Sequence, residues 1–392
     1  MLDLRQIARQ IPSLTAHLQQ ESQHYQQRLA TALELWQEAI AFQSTYQQWQ
    51  GEFPFSCAMP HEPLTNRHQP LPYQLPHCVL ATDGSQIAPS RHESVYCYLI
   101  NVGRVAITYG TGTYPLLDSV PEVYYQPEHL YRGKQWGMST EDWIKWQRVI
   151  AEAQALADLA TSLGEAEQAL PTLALMDGSL IYWELENLPR PARQEILPPL
   201  WSAWHTLRSR RIPLVGYISA PRAIESVNFL RLPACPHATP DCSVHCPDLE
   251  LEKLPCGRVH PLRDASLWGQ LLEVGQFSPL WQSRAEILKE YPPEHTIYFG
   301  YFHLGNEIAR LEMPAWTACD PHLFPLALQI VLAQVAKGAG YPVALAEAHN
   351  LAVVSSGDRR QFFLILQRHL QQAGIIDLPL TNKETRKRSS IA

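Results

Sequence analysis

Charge is scarce in this chain. Only 18% of its 392 residues are Asp, Glu, Lys or Arg, against roughly 25% in average soluble proteins. A disordered polyelectrolyte is thereby excluded. A basic excess is missing as well. The formal net charge of −7 gives no global pull toward nucleic acid or an anionic membrane, so any such binding has to come from a local basic surface. No segment reaches the ~18 consecutive apolar residues of a membrane span, so no membrane partner is expected. The opening stretch Met1–Leu14 lacks a charged region followed by an apolar one, so a secretory signal is not expected. Cysteine is sparse too. Eight in 392 residues are too few for a disulfide scaffold, and a cytoplasmic chain with reduced thiols is the expectation. What is plentiful is apolar residues, 46%, enough to fill one large core or two ordinary ones.

Residues 1–50 contain 12 glutamines, no glycine and a single proline, Pro12. Leu14, Leu18, Tyr25, Leu29, Leu33 and Trp36 fall at helical spacing and predict a helix over about 14–49. This N-terminal helical extension is expected to pack on a domain or a second subunit. Residues 51–76 are rich in proline and read as an extended linker. Strands are predicted at 78–82, 94–102 and 104–109, the last two split at Gly103 as a hairpin. A helix follows over 140–163, then a strand at 173–176, a helix near 189–210 and a strand at 213–218. Residues 233–261 interrupt the pattern with six prolines and four cysteines. Beyond them lie a helix near 264–273, strands at 296–303 and 306–312, a helix at 322–337, a strand or helix at 342–354 and a helix at 358–372. Residues 375–392 read as a disordered basic tail. Three strands with short connections are antiparallel, and later ones joined through helices are parallel. The predicted class is therefore α/β, a mixed sheet flanked by helices in the ribonuclease-H-like order, over 77–374.

The strongest chemical signal is a repeated AspGlySer. Asp83 ends CysValLeuAlaThr, and Asp177 ends LeuAlaLeuMet. A carboxylate at the end of a buried strand lies on the sheet rim where ligands bind in open α/β folds, and the following glycine lets backbone and ligand approach. A plain turn explains one copy as well; two copies after apolar runs favour a site. Two such aspartates make a hard-oxygen site suited to Mn²⁺ or Mg²⁺. A two-metal phosphodiesterase centre needs further ligands. Glu152, on the flank of the helical stripe before the strand of Asp177, is the best third carboxylate, with Glu165 and Glu167 as rivals. His349, a polar residue between apolar runs, is a candidate for metal binding or proton transfer. Cys235, Cys242, Cys246 and Cys256 fall within 22 residues and suggest a structural zinc site or an iron–sulfur cluster. A proline-rich loop with free thiols is the alternative.

Four blocks carry a family resemblance: VLATDGSQIAPSRHE (79–93), LALMDGSLIYWE (173–184), IARLEMPAW (308–316) and GYPVALAEAHNLAVVSSGDRRQF (340–362). In this order and spacing they resemble the NurA nuclease family. The resemblance implies a ribonuclease-H-like core, Mn²⁺-dependent exonuclease and endonuclease activity on DNA, and a homodimer. It also implies work in end processing and double-strand break repair beside a hexameric HerA-type translocase ATPase. By the same resemblance Asp83, Asp177 and His349 carry the metal and Glu152 joins them as catalytic. Tyr182 matches a family tyrosine as a DNA contact, and Glu312 lies in a block without an assigned role. Where the family carries a lysine, this chain reads SerAlaProArg over 219–222, which leaves Arg222 as a phosphate contact; an arginine cannot act as a general base. The alternative function is a catalytically silent dimeric DNA-binding or scaffold subunit with a structural metal insert.

Overall fold

The computed structural model describes residues 3–47, 53–89, 95–237, 240–247, 250 and 253–375. The basic tail expected over 375–392 lies, but for its first residue, outside the described residues. In chain order the main elements are helix α1 (Leu4–Ala41), strands β1 (His77–Ile87), β2 (Tyr98–Tyr109) and β3 (Leu116–Tyr124), helix α2 (Thr140–Ser162) and strand β4 (Thr172–Asp177). Helix α3 (Arg190–Ser209), strand β5 (Leu214–Ile218), helix α4 (Asp264–Leu271) and strands β6 (Ile297–His303) and β7 (Ile308–Pro314) follow. Helices α5 (Leu323–Lys337), α6 (Val343–Ala352) and α7 (Ser356–Gln372) close the chain. Contacts divide the chain into two compact units, Met1–Pro70 with Tyr217–Ala318, and Leu71–Gly216 with Cys319–Ala392.

The second unit is built on strands in the order β4-β1-β2-β3, with the first residues of β5, up to Gly216, beside β4. β1 pairs antiparallel with β2 and parallel with β4, and β2 pairs antiparallel with β3. Three antiparallel strands followed by a parallel one reached through a helix form the ribonuclease-H-like arrangement that the strand order predicts. The period of two along β1 decides what each residue faces. Thr82 bonds the backbone oxygen of Glu152 in α2 at 3.0 Å, whereas Ser85 bonds the carbonyl of Ala352 at the end of α6. The sheet is therefore covered by α2 on one side and α6 on the other.

Two local expectations change. β2 is not a hairpin split at Gly103 but one strand of 12 residues. Gly103 is there because α6 lies directly on it: a Cβ at that position would run into the Ala348 carbonyl and stand 2.7 Å from the Ala352 nitrogen. The chain turns later, through Gly110 and Gly112, both at positive φ, into β3. That strand went unpredicted because its run is broken by Asp118, Ser119 and Pro121, a usual edge residue; it is a solvated edge with no buried residue. It is tied to β2 by the fork of Arg104 on Asp118, at 2.9 and 2.7 Å.

In the first unit β6 and β7 form an antiparallel hairpin, and the short strand Trp281–Gln282 joins β6 to Met59–Pro60. The core gathers Leu29, Leu35 and Trp36 of α1 with Trp268, Trp281 and Phe299. Trp36 meets Trp268 edge-on at 5.2 Å between centroids. α1 starts earlier than its apolar spacing predicts, because Asp3 caps it by accepting from Arg5 and Gln6 nitrogens. The proline-rich segment is extended, as its composition requires, but joined to this unit: His61 N–H donates to Leu280 and His68 N–H to Phe277, at 2.8 and 2.9 Å. On β7, Arg310 is buried and paired with Glu225 at 2.6 Å and Glu312 at 2.7 Å. Glu312 thus belongs to a buried ion network.

Candidate active site

Asp83 and Asp177 are brought together by register. The parallel β1/β4 ladder ends at Thr82 opposite Met176, and each aspartate is the next residue. The two AspGlySer copies then part. β4 stops and turns at Gly178, with φ of 90°, while β1 runs on to Ile87, so Asp83 is a mid-strand residue at the point where its neighbour ends. Asp83 accepts the Gly84 N–H at 2.8 Å, and its other oxygen meets His349 Nδ1, also at 2.8 Å. The Asp83 side chain is 19% exposed and that of His349 66%, so the imidazole stands at the solvent side of the pair.

His349 owes its place to α6. The C-terminal turn of that helix, which leaves carbonyls unpaired in any helix, is held by Ser85 and by the Asn101 amide, which donates to Leu351 at 3.1 Å and Ala352 at 2.9 Å. The strands that carry Asp83 therefore also fix the helix that carries His349. At the start of the same block, Tyr341 O–H donates to Asp177 Oδ1 at 3.0 Å.

Glu152 approaches from the α2 side. Its Oε1 lies over Gly84, where any Cβ would collide with it, and 3.3 Å from Arg148 Nε one turn earlier on the helix. Arg148 also reaches the Gly84 carbonyl at 3.3 Å. Burial pushes the Glu152 carboxyl up to about 8, with Arg148 pulling it down and the charges of Asp83 and Asp177 pushing it further up. Asp177 is also raised. Crowding by protein atoms is the main cause although the residue keeps contact with solvent; the Tyr341 bond opposes it and Asp83 adds to it. The Glu152 carboxyl of α2 thus feels the charges of Asp83 on β1 and Asp177 on β4, and Gly84 offers no side chain to hold it away.

The other candidates fall elsewhere. Glu167 bonds Thr108 at 3.2 Å, beside the start of β1, at the end of the sheet away from Asp83. Tyr182 is buried, its ring 5.8 Å from Trp146 and 6.2 Å from Trp204, so it faces the core and not a nucleic acid. Arg222 is exposed in the first unit. That unit also holds Cys235, Cys242, Cys246 and Cys256, all free thiols. Cys242 is pushed up to about 11 by burial and then by its neighbours Cys256, Cys246 and Cys235. Among the described residues no three His, Cys, Asp or Glu side chains stand as a group able to hold a metal ion. This applies to the thiols and to the carboxyls alike. In the second unit the donors are engaged with protein: Glu152 with Arg148, Asp83 with His349 and Asp177 with Tyr341. Sequence reasoning missed Arg148 and Tyr341. The signals were present, an Arg–Glu pair at i,i+4 and a tyrosine two turns of chain before His349 in the same block.

A family model of the NurA domain matches residues 77–354, a span that contains Asp83, Glu152, Asp177, Tyr341 and His349. The chain belongs to the NurA family. The crystal structure of the NurA nuclease from Sulfolobus solfataricus is similar over 95% of this chain and 98% of that one, with a TM-score of 0.51 at 13% identity. At that identity the likeness speaks for a shared fold. A comparison with curated proteins finds no match. No helix among the described residues is long and apolar enough to cross a membrane.

Proposed function

We propose that this NurA-family chain is a divalent-metal-dependent DNA nuclease that hydrolyses phosphodiester bonds where β4 ends beside the middle of β1. The carrying observation is the gathering of Asp83, Asp177 and Glu152 around Gly84, with His349 on Asp83. A protein has little structural use for a buried Glu152 carboxyl pushed up by the charges of Asp83 and Asp177; a cation relieves that repulsion. The donors are hard oxygens and one imidazole, which suit Mn²⁺ or Mg²⁺ in kind. As they stand they are turned to protein partners, so loading asks Glu152 to leave Arg148 and His349 to share Asp83. When bound, such an ion supplies an acidified water and neutralises charge on the phosphate. Around it, Asp83 and Asp177 hold position through Gly84 and Tyr341, and Arg148 balances Glu152 or meets a phosphate oxygen. His349, the exposed member, accepts or gives a proton at its ring nitrogen.

In the cell, the reading extends to DNA end processing and double-strand break repair with a hexameric HerA-type ATPase, as the family resemblance implies. The test is hydrolysis of linear duplex and single-stranded DNA with Mn²⁺, Mg²⁺ or chelator. Cleavage that needs the metal and disappears in Asp83→Asn, with folding unchanged, supports the reading. Activity in chelator, or in Asp83→Asn at the wild-type level, sinks it and leaves the scaffold alternative.

A further inference from the structure

At the end of the sheet away from Asp83, the second unit holds a cavity of about 500 Å³, inside the ~300–1,000 Å³ range of small-ligand sites. His77 begins β1, Tyr109 ends β2, and the two pair across the ladder. Lys337 ends α5, and the proline-rich stretch 72–75 closes the side. That stretch is tied down by the Tyr73 N–H, which donates to Gln329 of α5 at 3.1 Å. Asp83 lies six residues along β1 from His77, ~20 Å at ~3.3 Å per residue, so the cavity is no part of the candidate active site. Three polar groups in its wall lack a full set of partners among the described residues. The Lys337 ammonium stands 4.8 Å from the centroid of the Tyr109 ring, and none of the described lining residues is acidic. The Tyr109 oxygen accepts from the Gln334 amide at 3.0 Å. Gln334 is buried and its Oε1 accepts the Ala344 N–H at 3.1 Å, so its Nε2 can only donate, and Tyr109 keeps its own O–H to give. Burial holds that phenol above its ordinary range, against the Gln334 bond and with the Cys78 thiol adding to it. His77 is 1% exposed. Its Nδ1 meets the Leu75 carbonyl at 2.7 Å, and a carbonyl only accepts, so Nδ1 carries the proton. Burial pushes the imidazole below its ordinary range, with the Leu75 bond opposing and the Lys337 charge adding to it. The ring is therefore neutral and its Nε2 is an acceptor, buried without a hydrogen-bond partner among the described residues. Such a group is costly to leave unpaired.

We propose that this cavity binds a nucleoside monophosphate, its phosphate held by Lys337 and the Tyr109 hydroxyl and an amino group of its base given to His77. Lys337 and Tyr109 together ask for an anion with acceptor oxygens, which a phosphate supplies. His77 asks for a donor, and that donor has to be uncharged, because the Lys337 charge already disfavours a proton on the ring. An ammonium group, as in an amino acid, is excluded on the same ground. An anion and a neutral N–H donor in one molecule, with a flat ring to lie against Pro72 and Tyr73, describe a nucleotide with an amino-bearing base. Inorganic phosphate would leave most of the cavity unfilled. The inference does not rest on the nuclease reading.

The test is equilibrium dialysis of the full chain against deoxyadenosine 5′-monophosphate in chelator. Lys337→Met removes the cation and Ala336→Trp fills the cavity; Lys289→Met, in the first unit, is the control for charge alone. All three positions are exposed, so the fold is not at stake. The expected result is one nucleotide per chain, with affinity roughly tenfold weaker or more in Lys337→Met and in Ala336→Trp, the loss of about one charge-assisted hydrogen bond or more, and unchanged in Lys289→Met. The same nucleotide without its amino group, and deoxyadenosine without its phosphate, should each bind more weakly than the parent by a similar factor. No binding up to about 1 mM, or wild-type affinity in Lys337→Met or Ala336→Trp, would overturn the proposal. So would inorganic phosphate that competes as well as the nucleotide, since the site would then read an anion only. A 5′-phosphorylated single-stranded oligonucleotide that binds there more tightly than the mononucleotide would make the site a DNA contact and overturn it too.

Discussion

Gly103→Ala adds one methyl group at the contact on which the candidate site depends. The new Cβ would stand against the Ala348 carbonyl, 2.7 Å from the Ala352 nitrogen and 3.0 Å from Leu351 Cβ. Two of these three atoms are backbone of α6, so no rotamer change relieves the clash. The helix has to move off the sheet. Overpacking of this kind costs ~1–3 kcal/mol when side chains can yield, and the backbone contacts here place the expected loss near the top, about 3 kcal/mol. The displacement also draws His349 from Asp83, whose 2.8 Å contact tolerates little movement. DNA hydrolysis should then fall more steeply than stability alone explains, at a temperature where the variant remains folded. A matched control is Gly269→Ala in α4, where the nearest atom to a new Cβ is 3.7 Å away. There the same methyl should stabilise by ~0.5–1 kcal/mol, the usual helix preference for alanine over glycine. Urea unfolding of both variants, with hydrolysis rates beside it, reads out both signs. Wild-type stability and activity in Gly103→Ala, or the same shift in both variants, would refute the packing argument.

Three further outcomes are expected. Glu152→Gln removes a carboxyl that burial holds at about 8. Such an acid binds more protons folded than unfolded, so in chelator its cost to stability appears above about pH 4–5 and grows until about pH 8; the glutamine variant should gain on wild type across that window, and a constant difference between about pH 5 and pH 8.5 in urea melts would count against it. Tyr341→Phe removes the hydrogen bond to Asp177 and, as the loss of an outer partner of a metal ligand, should raise the Mn²⁺ needed for half-maximal cleavage roughly tenfold or more; an unchanged metal titration would deny Tyr341 that role. Arg310→Met strands Glu225 and Glu312 without their buried cation and should cost ~3–5 kcal/mol, visible as a large drop in the denaturation midpoint; a variant as stable as wild type would mean that the network is dispensable.

Much of the fold could be read from the chain because its elements carry their own periodicity. α2, β4, α3 and α5 appear within a few residues of where the apolar spacing puts them, and Asp83, Asp177 and His349 were identifiable because each interrupts or ends an apolar run. The sequence also supplied the donors on which the proposed chemistry rests, hard-oxygen carboxylates that follow apolar runs. What tertiary structure decided is everything that depends on two segments meeting. Gly103 and Gly84 look alike in sequence, as small residues in or after a strand. One is a glycine because a helix backbone lies on it, and the other because a glutamate does. β3 carries Leu116, Leu117, Val120 and Val123 but leaves them exposed, and its place as the edge strand is set by the pairing with β2. Tyr341 and Arg148 became members of the site only when α6 and α2 covered opposite faces of the same strands. Periodicity is a property of neighbours along the chain and survives in the sequence, whereas close approach between distant segments leaves no such trace and is fixed only by packing.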